Sequence, residues 1–161
     1  MGIDKVHMKY HYTGGFDATP EVQTLASSWY TDGTEVIFAC GGAVGNSVMS
    51  AAKAIDGKKV IGVDVDQSSE SDTVITSAMK GLSSAVTQTL EEYYNDKFPG
   101  GESLVLGADK DGVKLPMDTS KFEKFTQADY DKVYKTKMVN TTSSSNEKND
   151  GFYLNDNNCH G

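Results

Sequence analysis

Two features of the sequence could bind a small polar ligand through backbone and carboxylate groups. The first is a glycine-rich stretch, residues 41–45, between a predicted strand and a predicted helix. Missing side chains let backbone N–H groups approach a ligand, and a helix N-terminus adds partial positive charge. Tight strand-to-helix packing is the alternative. The stretch is a poor dinucleotide fingerprint, because Ala43 and Asn46 stand where glycines are required.

The second feature is a pair of carboxylates, Asp64 and Asp66, at the end of the next predicted strand. A carboxylate there can accept two hydrogen bonds at once from vicinal ribose hydroxyls. If the strand persists, both side chains lie on one face. If it ends between them, one faces the ligand and the other caps or turns the chain. The sequence leaves the choice between Asp64 and Asp66 open.

Lys80 and Phe16 could complete such a site. Lys80 leaves the end of a further strand, where it could donate to hydroxyls or pair with Asp64, or remain solvated. Phe16 follows Gly14 and Gly15, and an exposed ring there could stack on a planar base. The alternative is a ring folded onto the nearby helix. In open α/β sheets ligands bind beyond the carboxyl ends of the strands, so these groups are expected to converge.

Catalytic chemistry finds little support in the sequence. Neither a G-x-S-x-G elbow nor an H-E-x-x-H motif occurs. His7 and His11 share a face of a predicted strand but lie too far apart to chelate one metal comfortably, and the remaining histidine is His160. Cys40 has no histidine placed to activate it and is predicted to be a buried thiol, and its spacing from Cys159 suggests neither disulfide nor zinc site. We predict a binding protein without metal or cofactor, not an enzyme.

Strands and helices must alternate to position these groups. Thr19 and Pro20 predict a helix start and Gly33 its stop. The other elements are strands at residues 6–12, 35–40, 60–66 and 73–79, a hairpin of residues 103–106 with 113–115, and helices at residues 47–55, 82–94 and 126–137. Short connections imply βαβ units and therefore a three-layer α/β fold, a mostly parallel sheet with helices on both faces.

The length of 161 residues fits one domain followed by a tail. We expect a ligand-binding lobe over residues 1–138 and a polar, disordered tail over residues 139–161, which are rich in Ser, Thr, Asn and Asp. A net charge of −8 argues against nucleic acid or an anionic membrane surface as partner. The chain is expected to be soluble, because no segment approaches the roughly 20 apolar residues of a spanning helix and its start has no signal-peptide pattern.

Several stretches in order carry a family resemblance. They are EVIFACGG (residues 35–42), IGVDVDQ (61–67), VITSAMK (74–80), FPGG (98–101) and then GV (112–113). Together they resemble the basic membrane protein family, the substrate-binding lipoproteins of ABC transporters that include the PnrA-like purine nucleoside receptors. The resemblance covers roughly residues 6–138 and only the C-terminal half of the family's length.

The resemblance implies one lobe of a type I periplasmic-binding fold, with a purine nucleoside trapped between two lobes. By position, Phe16 would stack on the base and Gly41 would contact the ligand through its backbone. Asp64 would bind ribose hydroxyls and Lys80 would support the sugar. The resemblance also implies an ABC transporter permease as partner, and an extracytoplasmic, membrane-anchored location for the full-length protein.

Three other interpretations remain at the level of sequence. A Rossmann-type nucleotide-dependent oxidoreductase is one, because a glycine loop followed about twenty residues later by Asp64 mimics that design. A ligand-sensing domain of a regulator would use the same pocket. A homodimer would arise if the face exposed by the missing lobe became an interface. A single lobe is expected to bind its ligand weakly or not at all.

Overall fold

The computed structural model describes the backbone of residues 6–143 and the side chains of residues 6–136. One sheet runs in chain order through β1 (Val36–Phe38), β2 (Lys59–Asp64), β3 (Val74–Lys80) and β4 (Val113–Lys114). β1, β2 and β3 are parallel, and β4 is antiparallel to β3. The carboxyl ends of the three parallel strands therefore meet at the same edge of the sheet.

In the described part of the chain four α-helices accompany the sheet: α1 (Pro20–Thr31), α2 (Val44–Lys53), α3 (Leu82–Tyr94) and α4 (Gln127–Ser143). A 3-10 turn, Ala108–Lys110, precedes β4. Helix α2 connects the parallel strands β1 and β2, as a βαβ unit requires. The predicted α/β class with a mostly parallel sheet is confirmed.

Helix α1 begins and ends where its sequence predicts. The Thr19 side chain accepts a hydrogen bond from the Val22 N–H (3.3 Å), and Pro20 occupies the first turn, where its missing N–H costs nothing. The helix is capped at Asp32, and Gly33 then adopts a left-handed φ of +98° that few other residues tolerate. These signals are local, so they could be predicted from sequence alone.

The core lies between α1, α2 and the sheet. Val60 of β2 and Val74 of β3 are fully buried and face each other in register. Burying each such side chain contributes about 1.5–3 kcal/mol. The small residues Ala51 and Ala52 let α2 approach its neighbours closely. The buried apolar cluster comprises Ala26, Tyr30, Ile37, Ala39, Val44, Val48, Met49, Ala51, Ala52, Val60 and Val74.

Two predicted strands are absent from the described part of the chain. Residues 6–12 form no strand, and Val6, Met8, Tyr10 and Tyr12 are all exposed. Alternation of apolar residues predicts a strand, but a strand also needs a neighbour that accepts its backbone hydrogen bonds. Residues 103–106 are likewise not a strand, so the predicted hairpin is wrong. Its second half, β4, pairs with β3 instead.

The C-terminal part also differs from the predicted boundaries. Helix α4 begins next to Thr126 as predicted, and it continues to Ser143, past the predicted end near Lys137. Residues 139–143 are therefore helical, and the rest of the predicted tail lies outside the described residues. Helix α3 has the predicted bounds, yet none of its side chains is buried. No helix among the described residues is long and apolar enough to cross a membrane.

Candidate ligand-binding rim

The candidate site lies at the carboxyl ends of the parallel strands. β2 ends at Asp64 and β3 ends at Lys80, and the sheet register places Asp64 opposite Met79. β1 ends at Phe38, and the chain continues through Cys40 into the glycine loop. Loops at this edge are where open α/β sheets bind ligands. We call the group formed by Phe16, Gly41, Asp64 and Lys80 the rim.

Asp64 and Lys80 form an ion pair in the rim. Lys80 Nζ lies 2.9 Å from Asp64 Oδ1, and the two side chains are 47% and 42% exposed, respectively. An ion pair this exposed adds little to stability, typically about 0–1 kcal/mol. The ion pair instead fixes the positions of the two side chains, because it holds a carboxylate and an ammonium group side by side and within reach of solvent. Together they offer an acceptor and a donor to neighbouring hydroxyls.

Phe16 packs beside the glycine loop. A Cβ placed on Gly42 would lie 3.4 Å from both the Cβ and the backbone oxygen of Phe16, and Gly42 has a φ of +56°. The Phe16 side chain remains 63% exposed, so its ring is not folded into the core. Gly41 is half-buried, and its carbonyl accepts the Val44 N–H at the start of α2 (3.1 Å). A planar apolar surface therefore adjoins bare backbone.

Cys40 directly precedes the glycine loop and lies near the Asp64–Lys80 ion pair. Partial burial raises the pKa of the Cys40 thiol, the Asp64 carboxylate raises it further, and the Lys80 ammonium group opposes them. These electrostatic effects require Cys40 to lie near both charges. Although neighbouring atoms shield the thiol in part, the residue as a whole is exposed to solvent, so the prediction of a buried thiol is wrong. A cysteine that ends a strand at the ligand edge can face solvent even though the strand before it is apolar.

Asp66 is engaged in the loop that follows β2. Its Oδ1 accepts the Ser68 N–H (3.0 Å), and its Oδ2 accepts the Thr119 hydroxyl (2.6 Å). The Thr119 hydrogen bond is the main reason that the pKa of the Asp66 carboxyl lies below its usual value. Because β2 ends at Asp64, the two aspartates have different surroundings. Asp64 lies beside Lys80, and Asp66 caps a turn.

Two polar residues next to the rim, Gln67 and Ser77, were not among the predicted site residues. Gln67 Oε1 accepts the Val63 N–H (2.9 Å), and the Gln67 N–H donates to Ser77 Oγ (3.0 Å). Ser77 is fully buried in β3. The available signal was a pair of hydroxyl residues, Thr76 and Ser77, in a strand that begins with apolar residues, since a buried hydroxyl requires a hydrogen-bond partner.

The rim is an open surface. Two shallow depressions run along α1, and neither is lined by Phe16, Gly41, Asp64 or Lys80. Within the described residues no group of three or more His, Cys, Asp and Glu side chains could hold a metal ion. His7 and His11 are exposed, whereas Cys159 and His160 lie outside the described residues. A ligand on the rim would have one side covered and the other in water.

Comparison with known sequences identifies the family. The sequence model of the family described as ABC transporter substrate-binding protein PnrA-like matches residues 4–149. The chain belongs to this family. The match confirms the family resemblance noted from the sequence, and all of the stretches that carry it lie within residues 4–149.

Relatives in the PnrA-like family share about a third of the aligned residues. The chain is 30% identical over 135 residues to the ABC transporter nucleoside-binding protein BmpA of Lactococcus lactis subsp. cremoris, covering 73% of this chain and 38% of that protein. It is 35% identical over 133 residues to basic membrane protein B of Borreliella burgdorferi, covering 80% and 37%. The chain thus spans about two-fifths of the length of these relatives.

Solved structures agree on the fold. An ABC transporter solute-binding protein from Aeropyrum pernix K1 superimposes with a TM-score of 0.57 at 23% identity, covering 84% of this chain and 41% of that one. A transcriptional activator of the comK gene from Bacillus halodurans gives a TM-score of 0.62 at 17% identity, covering 83% and 45%. Both likenesses concern the fold alone, and they show that the α/β fold of this chain also occurs in other proteins.

Proposed function

We propose that this chain is a nucleoside-binding lobe of an ABC transporter substrate-binding protein, and that the rim is its share of the ligand site. The observation that carries the proposal is the Asp64–Lys80 ion pair at the ends of adjacent strands, on the same edge as the exposed Phe16 ring. One relative is named a nucleoside-binding protein. A purine nucleoside has a planar base and vicinal hydroxyls, and the rim offers a partner for each.

Each rim residue has a distinct proposed role. The Phe16 ring stacks on the base, which is worth about 1–3 kcal/mol in comparable sites. The backbone at Gly41 approaches the ligand, because no side chain stands in the way. Asp64 accepts hydrogen bonds from two ribose hydroxyls, and Lys80 donates to the sugar while neutralising Asp64. Lys80 also keeps the carboxylate oriented when the ligand is absent.

The lobe acts by binding, not by catalysis, in this proposal. It covers one side of the ligand, and the rest of the full-length protein covers the other. In that longer protein we place the site outside the cytoplasm, in a membrane-anchored lipoprotein that delivers its ligand to the transporter permease. Because half of the ligand surface stays hydrated on the isolated lobe, we expect dissociation constants on the order of millimolar for this chain alone.

The proposal is tested by titrating the chain with inosine, guanosine and adenosine while following its amide resonances by NMR, which detects weak binding. Nucleosides should shift the amide resonances of the glycine loop and of residues 64–65, and free ribose should bind less well. NAD should bind no better than a nucleoside, since the loop lacks the dinucleotide glycines. Stronger binding of ribose, amino acids or NAD than of every nucleoside would refute the proposal.

Matched variants separate the roles. Phe16→Ala should weaken inosine binding about tenfold, whereas Phe98→Ala, at another exposed phenylalanine, should leave it unchanged. Asp64→Asn should weaken it about tenfold. Asp66→Asn is the control, because its carboxylate is engaged with Ser68 and Thr119. A larger loss for Asp66→Asn than for Asp64→Asn would transfer the ribose role to Asp66.

A further inference from the structure

The chain makes an unusual turn where β2 ends at the rim. Asp64 has a φ of +66°, a region that residues with side chains rarely adopt. The Val65 N–H donates to the Val63 carbonyl oxygen (2.7 Å), which closes a three-residue turn around Asp64. This turn directs the Asp64 carboxylate towards Lys80. A disfavoured backbone conformation persists only where neighbouring groups hold it in place.

Gln67 holds the strand on the near side of this turn. β1 pairs with β2 only as far as Ile61, and the Val63 N–H beyond that point donates to Gln67 Oε1 (2.9 Å). The backbone N–H of Gln67 is in turn fixed by Ser77 Oγ of β3 (3.0 Å). One amide side chain therefore takes the place of a strand neighbour.

The Gln67 side chain is confined to this position from two sides. A Cβ on Gly62 would lie 2.7 Å from Gln67 Oε1 and 2.6 Å from Ser77 Oγ, so only glycine leaves room for the side chain to cross β2. Gln67 Nε2 donates to the Glu70 carboxylate (3.2 Å), which fixes which end of the amide faces Val63. Its acceptor oxygen thus points at the backbone and its donor at a carboxylate.

We propose that Gln67 is a positioning residue of the rim: it accepts the Val63 N–H and thereby holds the turn that points Asp64 at Lys80 and at the ligand. Gln67 itself does not touch the ligand in this scheme. The inference rests on the ligand role of Asp64 proposed above. The turn itself can be measured without any ligand, so the two proposals fail separately.

The test compares Gln67→Ala with Tyr30→Phe. The Tyr30 hydroxyl donates to the Lys59 carbonyl oxygen (2.8 Å) at the other end of β2, so Tyr30→Phe also removes one side-chain hydrogen bond from this strand. Gln67→Ala should move the Asp64 and Val65 amide resonances, speed hydrogen exchange of the Val63 amide about tenfold, and weaken inosine binding about tenfold. Tyr30→Phe should lower the unfolding temperature yet leave these three readouts unchanged.

Exchanging the side chains of Gln67 and Glu70 tests whether inosine binding can be restored. Gln67→Glu keeps an acceptor for the Val63 N–H but sets two carboxylates against each other, so it should weaken inosine binding. Adding Glu70→Gln restores a donor facing an acceptor and should return the affinity to within about twofold. Rescue supports a positioning role, since a general loss of stability would not be repaired by this exchange.

The outcomes separate the two proposals. Unmoved Asp64 and Val65 resonances in Gln67→Ala, or equal movement in Tyr30→Phe, would overturn the positioning role whatever the chain binds. The absence of nucleoside binding by the unaltered chain would overturn the proposed function. In that case moved resonances would still support Gln67 as the residue that holds the Asp64 turn.

Discussion

At the scale of single residues, Cys40 provides a chemical probe of the rim. Its thiol pKa is raised by partial burial and by the Asp64 carboxylate, and Lys80 acts in the opposite direction. Because the thiolate is the reactive form, alkylation below the thiol pKa slows as that pKa rises. Reaction at Cys40 therefore reports on the charges beside it, with no ligand present.

We expect Asp64→Asn to speed alkylation of Cys40 by iodoacetamide at pH 7.5 about two- to fivefold, because removing the carboxylate lowers the thiol pKa. Lys80→Gln should slow it. The rate is measured by mass spectrometry of the peptide that contains Cys40, which excludes any signal from Cys159. Asp66→Asn is the control. An unchanged or slower rate in Asp64→Asn would mean that this carboxylate does not act on Cys40.

Part of the geometry of the rim could be predicted from the sequence. Pairing with Asp64 was one of the alternatives considered for Lys80, and the two side chains lie 2.9 Å apart. The left-handed φ of Asp64 and the hydrogen bond from Val63 to Gln67 could not be predicted. Both depend on where β1 stops relative to β2, which is a property of strand pairing and not of local sequence.

At the scale of elements, β4 and the segment before it depend on close backbone approach. A Cβ on Gly112 would overlap the Leu106 carbonyl oxygen, and one on Gly81 would overlap the Asp111 carbonyl oxygen. The two glycines are also directly linked, because the Gly81 N–H donates to the Gly112 carbonyl oxygen (2.9 Å). The obstructing atoms belong to the backbone, so they cannot move aside cheaply.

We therefore expect Gly112→Ala to lower the free energy of unfolding by about 2–4 kcal/mol. Gly15→Ala is the matched control, because nothing lies within 4 Å of a Cβ at that position. Urea denaturation followed by circular dichroism measures both. If the two variants unfolded at the same urea concentration, the close approach of residues 106 and 112 would be refuted.

Elements with local signals were predicted well, and those that depend on distant partners were not. Helix α1 has a cap, a proline and a glycine stop, and its start and its stop at Gly33 match the prediction. Residues 6–12 and 103–106 have strand-like composition but no strand among the described residues pairs with them. The composition of a segment indicates whether it can form a strand, whereas its pairing depends on the other strands of the sheet.

At the scale of the whole molecule, helix α3 presents an apolar stripe to solvent. Its members recur at helical spacing and are each more than half exposed: Leu82, Val86, Leu90 and Tyr93. A stripe of this kind is normally covered in a folded protein. The chain spans about two-fifths of the length of its relatives. We expect a second copy of the chain to cover this stripe.

We expect sedimentation equilibrium to show concentration-dependent dimers of this chain. Leu90→Lys should shift the equilibrium towards monomer at least tenfold, because a charge would be buried at the contact. Thr87→Lys adds the same charge to an exposed position of α3 away from the stripe and should leave association unchanged. Equal effects of the two variants, or a monomer at every concentration, would exclude this mode of assembly.

The surroundings of Trp29 make its fluorescence a probe of the N-terminal segment. Trp29 is the sole tryptophan of the chain; it packs against the core from α1, and Lys9 Nζ lies 4.7 Å from the centre of its ring. Indole emission responds to nearby charge and to water, so it follows the attachment of residue 9 to α1. None of the rim residues borders this ring in the contacts described. Nucleoside binding at the rim can therefore be followed by NMR. Unchanged tryptophan emission from the same sample then indicates that α1 stays folded.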